Sequence, residues 1–252
     1  MQNPPIVTDR LDVVILCGGR GTRAYPDTVD LPKPLLTVAG APVVEHVMGI
    51  YAAQGHRRFV LAAGYRGDLL AERYSSPPHG FSVEVVDTGL DTATGERLRR
   101  CAGVVDGPRF FATYADGLGD VDLAAALNTH VAAGALLTMT TVPLPSQYGT
   151  IVFDSDGRVT DFREKPVLSD HWINAGFFVV ERDAFGHWQG EDLEAEVLPA
   201  LAATGRLVAH RHTGFWRSMD TYKDRQELER LAAGGRPPWA VGCQQLGLTN
   251  VP

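Results

Sequence analysis

Apolar and polar positions along the chain follow two alternating periods. Asp12-Val-Val-Ile-Leu-Cys17 is an unbroken apolar run that ends at Gly18-Gly19, the pattern of a strand buried on both faces that hands its end to a loop. In residues 42–53 the apolar positions fall at 43, 44, 47, 48 and 51, a helical stripe opened by a proline. Residues 58–63 predict a strand, 67–74 a short helix and 82–86 another strand. Residues 95–104 predict a helix, 110–114 a strand, 122–133 an alanine-rich helix and 136–142 a strand. This alternation predicts an α/β fold of Rossmann-like type, a mixed but mainly parallel sheet flanked by helices.

From Gly149 the pattern changes. Thr150-Ile-Val-Phe153, a turn at Asp154-Ser-Asp-Gly157 and residues 158–163 predict a β-hairpin added to that sheet. Residues 172–180 predict a further strand, and 191–203 and 221–233 two helices, stopped by Gly205 and Gly234-Gly235. No repeat or long linker interrupts the sequence, so one domain is expected across residues 1–252. The ends, 1–10 and 240–252, are expected to be mobile, with docking on another subunit as the alternative for the tail.

Composition narrows the function classes. The 252 residues are 44% hydrophobic and 21% charged, ordinary globular proportions. No apolar stretch approaches the roughly 20 residues that span a bilayer, so no membrane is expected as a partner. The N-terminus lacks the basic start and apolar run of a secretory signal, which makes a cytoplasmic location the expectation. Cys17, Cys101 and Cys243 are odd in number and lack metal-type spacing, as expected of reduced thiols. None of the eight histidines has the spacing of a zinc site. A net charge of -7 argues against nucleic acid as a partner. A small anion remains possible wherever basic residues gather locally.

They gather after the first strand. Gly18-Gly19-Arg20-Gly21-Thr22-Arg23 is followed, nine residues on, by Lys33-Pro34. Glycines let a backbone turn tightly, and successive unpaired N–H groups can hold phosphate oxygens. Neither the GxxxxGK[ST] of a Walker loop nor the GxGxxG of a dinucleotide fold is present. The alternatives are a polyphosphate cradle and an ordinary glycine-rich βα loop.

The loop resembles that of the nucleotidyltransferases that make nucleotide-activated sugars, whose signature is GGxGTR followed about ten residues later by KP. Asp116 at a strand end, Glu164-Lys165-Pro166 and Asn174-Ala-Gly176 match later motifs of that family in the same order. Val86-Asp-Thr-Gly89, Thr94-Gly-Glu-Arg-Leu-Arg-Arg100, Thr113-Tyr-Ala-Asp-Gly117, Gly214-Phe-Trp-Arg-Ser-Met-Asp-Thr221 and Pro237-Pro-Trp239 are most similar to its glucose-1-phosphate cytidylyltransferase branch. Arg20 stands where the family has an apolar residue, Ala24 for a leucine, and Ala115 and Ala175 for glycines. These departures bear on base and sugar identity more than on reaction class.

The resemblance implies transfer of a nucleotidyl group from a nucleoside triphosphate to a sugar 1-phosphate, with pyrophosphate released. CTP and α-D-glucose 1-phosphate giving CDP-glucose head the possibilities; GTP, UTP, dTTP or another sugar or cyclitol phosphate are alternatives. Both reactants are anions, so charge neutralisation and alignment dominate the catalytic problem. By resemblance Arg23, Lys33 and Lys165 are catalytic. Leu16, Gly18, Gly19, Gly21, Thr22, Arg23, Thr94, Gly95 and Asp116 would bind nucleotide, and Gly149, Glu164, Lys165 and Asn174 the sugar phosphate. Mg²⁺ is implied as cofactor, with Asp116 and Asp220 as ligands, and a homo-oligomer as the assembly.

Local sequence leaves alternatives at several of these positions. Asp220 suits a helix N-cap as well as a metal ligand, and Asn174 with Gly176 suits a bulge as well as a sugar contact. Asp120-Val-Asp122 is a competing carboxylate pair, although Asp122 also suits the cap of helix 122–133. Its DxD form admits a glycosyltransferase, and loss of chemistry admits a binding-only homologue. Against the first stands the triphosphate-type loop, and against the second the joint presence of Arg23, Lys33, Asp116, Lys165 and Asp220.

Overall fold

The computed structural model describes residues 10–241. Its centre is a seven-stranded sheet. In chain order the strands are β1 (Val13–Cys17), β2 (Arg58–Ala63), β3 (Ser82–Asp87), β4 (Arg109–Tyr114), β5 (Leu137–Pro145), β6 (Val167–Glu181) and β7 (Leu207–Arg211). Their spatial order is β7-β5-β6-β4-β1-β2-β3, with β6 antiparallel to both neighbours and the other pairings parallel. The helices are α1 (Val43–Ala52), α2 (Gly67–Arg73), α3 (Thr94–Cys101), α4 (Leu123–Ala133), α5 (Leu198–Ala203) and α6 (Tyr222–Ala232).

The unbroken apolar run of β1 has a direct cause. Val13, Ile15 and Cys17 face one core layer with α1, whereas Val14 and Leu16 face the other with Leu98 of α3 and Leu198 of α5. Successive side chains point to opposite faces of a strand, so a central strand covered on both sides must be apolar at every position.

Most expected elements form within a few residues of their sequence bounds. The helix expected at 95–104 ends at Cys101, and the one expected at 191–203 begins as a π-turn, Leu193–Val197, before continuing as α5. The hairpin forms, from Thr150–Phe153 and Val159–Arg163, but as its own two-stranded sheet. Its Ile151, Val152, Phe153, Val159 and Phe162 are each more than half exposed. β7 carries no clear signal in Leu-Val-Ala-His-Arg, because it lies at the sheet's edge and needs no continuous apolar run.

Toward the C-terminus, Trp239 is buried, and its ring packs against Phe215 with centroids 5.9 Å apart. The behaviour expected of the ends at 1–9 and 242–252, and the thiol expected at Cys243, lie outside the described residues. Cys17 and Cys101 are free and buried. Among the described residues no helix is long and apolar enough to cross a membrane.

One irregularity of the sheet shapes the region above it. The register of β6 against β5 shifts between Asn174 and Phe178, where Gly176 takes φ +79° and a Cβ would meet Tyr114 Cδ2 at 2.3 Å. Gly176→Ala is expected to destabilise the protein by more than about 1 kcal/mol, measured as a lower urea midpoint. Gly103→Ala, where a Cβ would meet open space, should leave that midpoint nearly unchanged.

Candidate active site

A cavity of about 470 Å³ opens where β1 and β4 end, the place where open α/β sheets hold ligands. Leaving β1, the chain turns at Gly21 with φ +62° into a 3₁₀ turn, Thr22–Ala24. A Cβ on Gly21 would stand 3.0 Å from both Lys33 Cβ and Thr28 Cγ2. Thr28 Oγ1 also donates to Gly21 O at 3.0 Å. The glycine thus lets the loop fold back over Lys33, which a second 3₁₀ turn, Lys33–Leu35, aims into the cavity.

Lys33 is the meeting point of two distant carboxylates. Its Nζ lies 2.5 Å from Asp116 Oδ2 and 3.0 Å from Asp220 Oδ1, and Arg23 reaches the same Asp220 oxygen at 3.0 Å. Ser218 Oγ donates to Asp220 Oδ2 at 3.0 Å. The two acidic positions are brought together by antiparallel pairing of Gly117–Gly119 with Trp216–Ser218, closed by a bond from Met219 N to Asp116 O at 2.9 Å. Burial pulls the Lys33 ammonium toward neutrality, but Asp116 and Asp220 outweigh it and hold its pKa above the ordinary lysine value. For Asp220 burial acts upward, and Lys33, Arg23 and Ser218 together overcome it, holding the carboxyl below the ordinary range.

The wall behind the glycine loop depends on Arg97. This buried guanidinium donates to Gly18 O at 3.2 Å, Ala63 O at 3.2 Å, Gly89 O at 2.7 Å, Leu90 O at 3.0 Å and Thr88 Oγ1 at 2.6 Å. It ties the loop after β1 to the loops after β2 and β3. The motif around Arg97 is visible in the sequence; that its side chain turns inward to backbone oxygens is not.

The structure brings Leu16, Gly19, Gly21, Arg23, Lys33, Asp116, Asn174 and Asp220 together at one cavity. Other expected residues stand elsewhere. Gly18 is held in the wall by Arg97, and Thr22 is exposed on the 3₁₀ turn. Thr94 and Gly95 open α3 against the π-turn, where a Cβ on Gly95 would meet Glu191 O at 2.7 Å. Gly149 packs beside Phe162 and Glu164 on the hairpin side. Glu164 and Lys165 are exposed, 3.4 Å from each other and outside the cavity lining. Arg20 departs from the expected basic cluster, turning to Asp91 at 3.4 Å and to the Tyr65 ring.

Geometry settles the local alternatives. Thr221, not Asp220, caps α6, in a capping box with Asp224. Asp122 caps α4, accepting from Ala125 N at 2.9 Å. Asp120 is taken up by His212 at 3.0 Å. For Asn174 the bulge is seen, its Oδ1 accepting from Gly176 N at 2.8 Å, and the residue also lines the cavity. Trp216 lines the cavity and donates from Nε1 to Ala175 O at 2.8 Å. Cys17 also lines it, yet burial pushes its thiol pKa far up, as suits a packing residue.

Tyr114, Ser218 and Glu194 also line the cavity without having been expected there. Glu194 had no motif to mark it, being one acid among four in residues 191–196. Ala115 and Ala175, the two positions departing from glycine, both stand at the cavity wall and are buried in the core layer behind it.

Among the described residues no group of three or more His, Cys, Asp or Glu side chains is arranged to hold a metal ion. The donor set is two carboxylates converging on one cationic position. That suits Mg²⁺, which keeps waters and is commonly bound by one or two carboxylates plus substrate phosphates.

The nucleotidyl transferase family model matches residues 12–224. A probable glucose-1-phosphate cytidylyltransferase of Bacillus subtilis (strain 168) is 33% identical, over 92% of this chain and 100% of that protein. The glucose-1-phosphate cytidylyltransferase of Salmonella typhi is 34% identical, over 91% of this chain and 98% of that protein. Among solved structures, HddC from Yersinia pseudotuberculosis shares the fold with a TM-score of 0.69 at 22% identity, over 87% of this chain and 98% of that one.

Lys33→Met removes the ammonium that offsets the burial of Asp220. The Asp220 carboxyl should then titrate at higher pH than in the wild type, followed by carbon-detected NMR of the carboxylate. An unchanged titration would show that Arg23 and Ser218 alone hold it down. In the wild type the folded pKa is depressed, so this ion pair's contribution to stability is present above the ordinary carboxylate range. It is lost as pH falls through the folded value.

Proposed function

This chain belongs to the nucleotidyl transferase family, and from that premise we propose that it converts CTP and α-D-glucose 1-phosphate to CDP-glucose and pyrophosphate. The observation that carries the reading is the network of Arg23, Lys33, Asp116 and Asp220 at one cavity, beneath a glycine turn that opens backbone to the same space. Two anions must approach each other there, and fixed cations aimed at the developing charge lower that barrier. The cytidine and glucose assignments rest on similarity to the two cytidylyltransferases.

Arg23 is the more exposed cation, with its side chain 75% exposed and Asp220 its ion-pair partner, which leaves it room to turn to the triphosphate. Lys33, mostly buried between the acids, serves as the fixed charge near the reacting phosphorus. Asp116 and Asp220 would hold Mg²⁺. When bound, the ion supplies Lewis-acid polarisation of the phosphoryl oxygens and a template for their alignment. Leu16, Gly18, Gly19, Gly21, Thr22, Thr94 and Gly95 frame the nucleotide side in this reading.

Gly149, Glu164 and Lys165 would serve the sugar phosphate together with Asn174. Lys165 has φ +46°, and its one ion-pair contact among the described residues is with Glu164. Its service therefore requires the turn between the hairpin and β6 to swing toward the cavity. The same reading carries one catalytic domain over residues 1–252, a homo-oligomer and a cytoplasmic location.

Pyrophosphate release with Mg²⁺, measured over CTP, UTP, dTTP, GTP and ATP against several sugar 1-phosphates with product mass checked, should peak at CTP with glucose 1-phosphate. Dominance of another pair would correct the specificity and keep the chemistry, whereas silence at every pair would refute the catalytic reading. Asp116→Asn is expected to lower turnover by about 10²-fold or more. Near wild-type turnover at ordinary Mg²⁺ would remove Asp116 from the metal site. Lys165→Ala should reduce kcat/KM for the sugar phosphate far more than triphosphate affinity, and equal losses would count against its assignment.

A further inference from the structure

Charge in the cavity is divided. Arg23, Lys33, Asp116 and Asp220 form one linked group, whereas Glu194 lines the same cavity with no ion-pair partner among the described residues. Its presence there is built by the backbone. Leu193 and Val197 are fully buried at either end of the π-turn, and Val197 N donates to Asp192 O at 3.0 Å. Thr94 accepts from Leu193 N at 3.0 Å through its Oγ1, which donates in turn to Glu194 Oε2 at 3.1 Å. π-turns within helices recur at functional positions.

The same cavity carries uncharged groups as well. Asn174 accepts from Gly176 through Oδ1, which leaves its amide N–H groups to donate, and Tyr114 also lines the cavity. An ionised carboxylate is acceptor-only and takes two hydroxyl donors readily. It also repels phosphate, so it sets the direction in which a sugar phosphate or nucleotide lies, hydroxyls toward Glu194 and phosphates toward Arg23 and Lys33.

We infer that Glu194 is a specificity-determining residue that accepts hydrogen bonds from the vicinal hydroxyls of a substrate ring. The inference rests on the catalytic reading above. The shared chemistry is a polyol ring, which is either the ribose of the nucleotide or the hexose of the sugar phosphate.

Glu194→Ala and Glu194→Gln separate these sources. KM and kcat for each substrate are measured by pyrophosphate release, and Kd by calorimetry, using CTP against dCTP and glucose 1-phosphate against its deoxy analogues. The expected result is a rise of about 10-fold or more in KM and Kd for one substrate on Glu194→Ala, with kcat changed less than about 3-fold. The difference between wild type and variant should shrink for the analogue lacking the hydroxyl: dCTP assigns ribose, a deoxyhexose phosphate assigns the sugar. Constants that stay within about 2-fold for both substrates overturn the inference, as does a loss that persists unchanged with every deoxy analogue. A lowered thermal midpoint with all constants moving together would make Glu194 structural and overturn it as well. If the wild-type protein binds substrates but releases no pyrophosphate, the catalytic reading fails while calorimetry still decides Glu194. If it binds neither substrate, both fail.

Discussion

Asp116 and Asp220 cannot share one small space unless a cation sits between them, and Lys33 is that cation. The three come from separate parts of the chain, 83 residues apart for Lys33 and Asp116 and 187 for Lys33 and Asp220. Removing the ammonium would leave two partly buried carboxylates facing each other, an arrangement in which like charges disfavour ionisation. The glycine turn above Lys33, the short pairing of residues 117–119 with 216–218 and the exposed reach of Arg23 all take their positions around this contact.

The sheet makes such a contact possible by being stiff on both sides. Every residue of β1 is buried between two core layers, so the end of that strand is a fixed point from which the glycine loop departs. Arg97 then fastens the loop from behind, linking backbone oxygens that follow three adjacent strands. A guanidinium has five donors in a rigid fork and no acceptor, which suits it to gather several carbonyls at once. The resulting wall is buried and multiply hydrogen-bonded, while Arg23 stands exposed at its ion pair with Asp220.

The cavity lining is not all of one charge network. Ion pairs join Arg23, Lys33, Asp116 and Asp220, whereas Glu194, Asn174 and Tyr114 line the same cavity outside that network. This division gives a ligand carrying both phosphate and polyol a preferred direction before any reaction occurs. The hairpin with its following turn stands outside that arrangement, and its exposed apolar side chains contrast with the packed sheet.

By itself the sequence determined the alternating architecture, the glycine loop and the residues of the ion network, because each leaves a local trace. Period-two and period-3.6 patterns follow from which faces are buried, and the family motifs mark Arg23, Lys33, Asp116 and Asp220 directly. It also marked Asp122 as a cap, since capping is a relation between near neighbours. Only the tertiary structure decided the antiparallel place of β6, the independence of the hairpin, the inward turn of Arg97 and that Thr221 rather than Asp220 caps α6. It alone put Glu194 in the cavity and left Glu164 and Lys165 outside it. These outcomes depend on contacts between residues far apart in the chain, and local periodicity carries no record of which distant partner a side chain will meet.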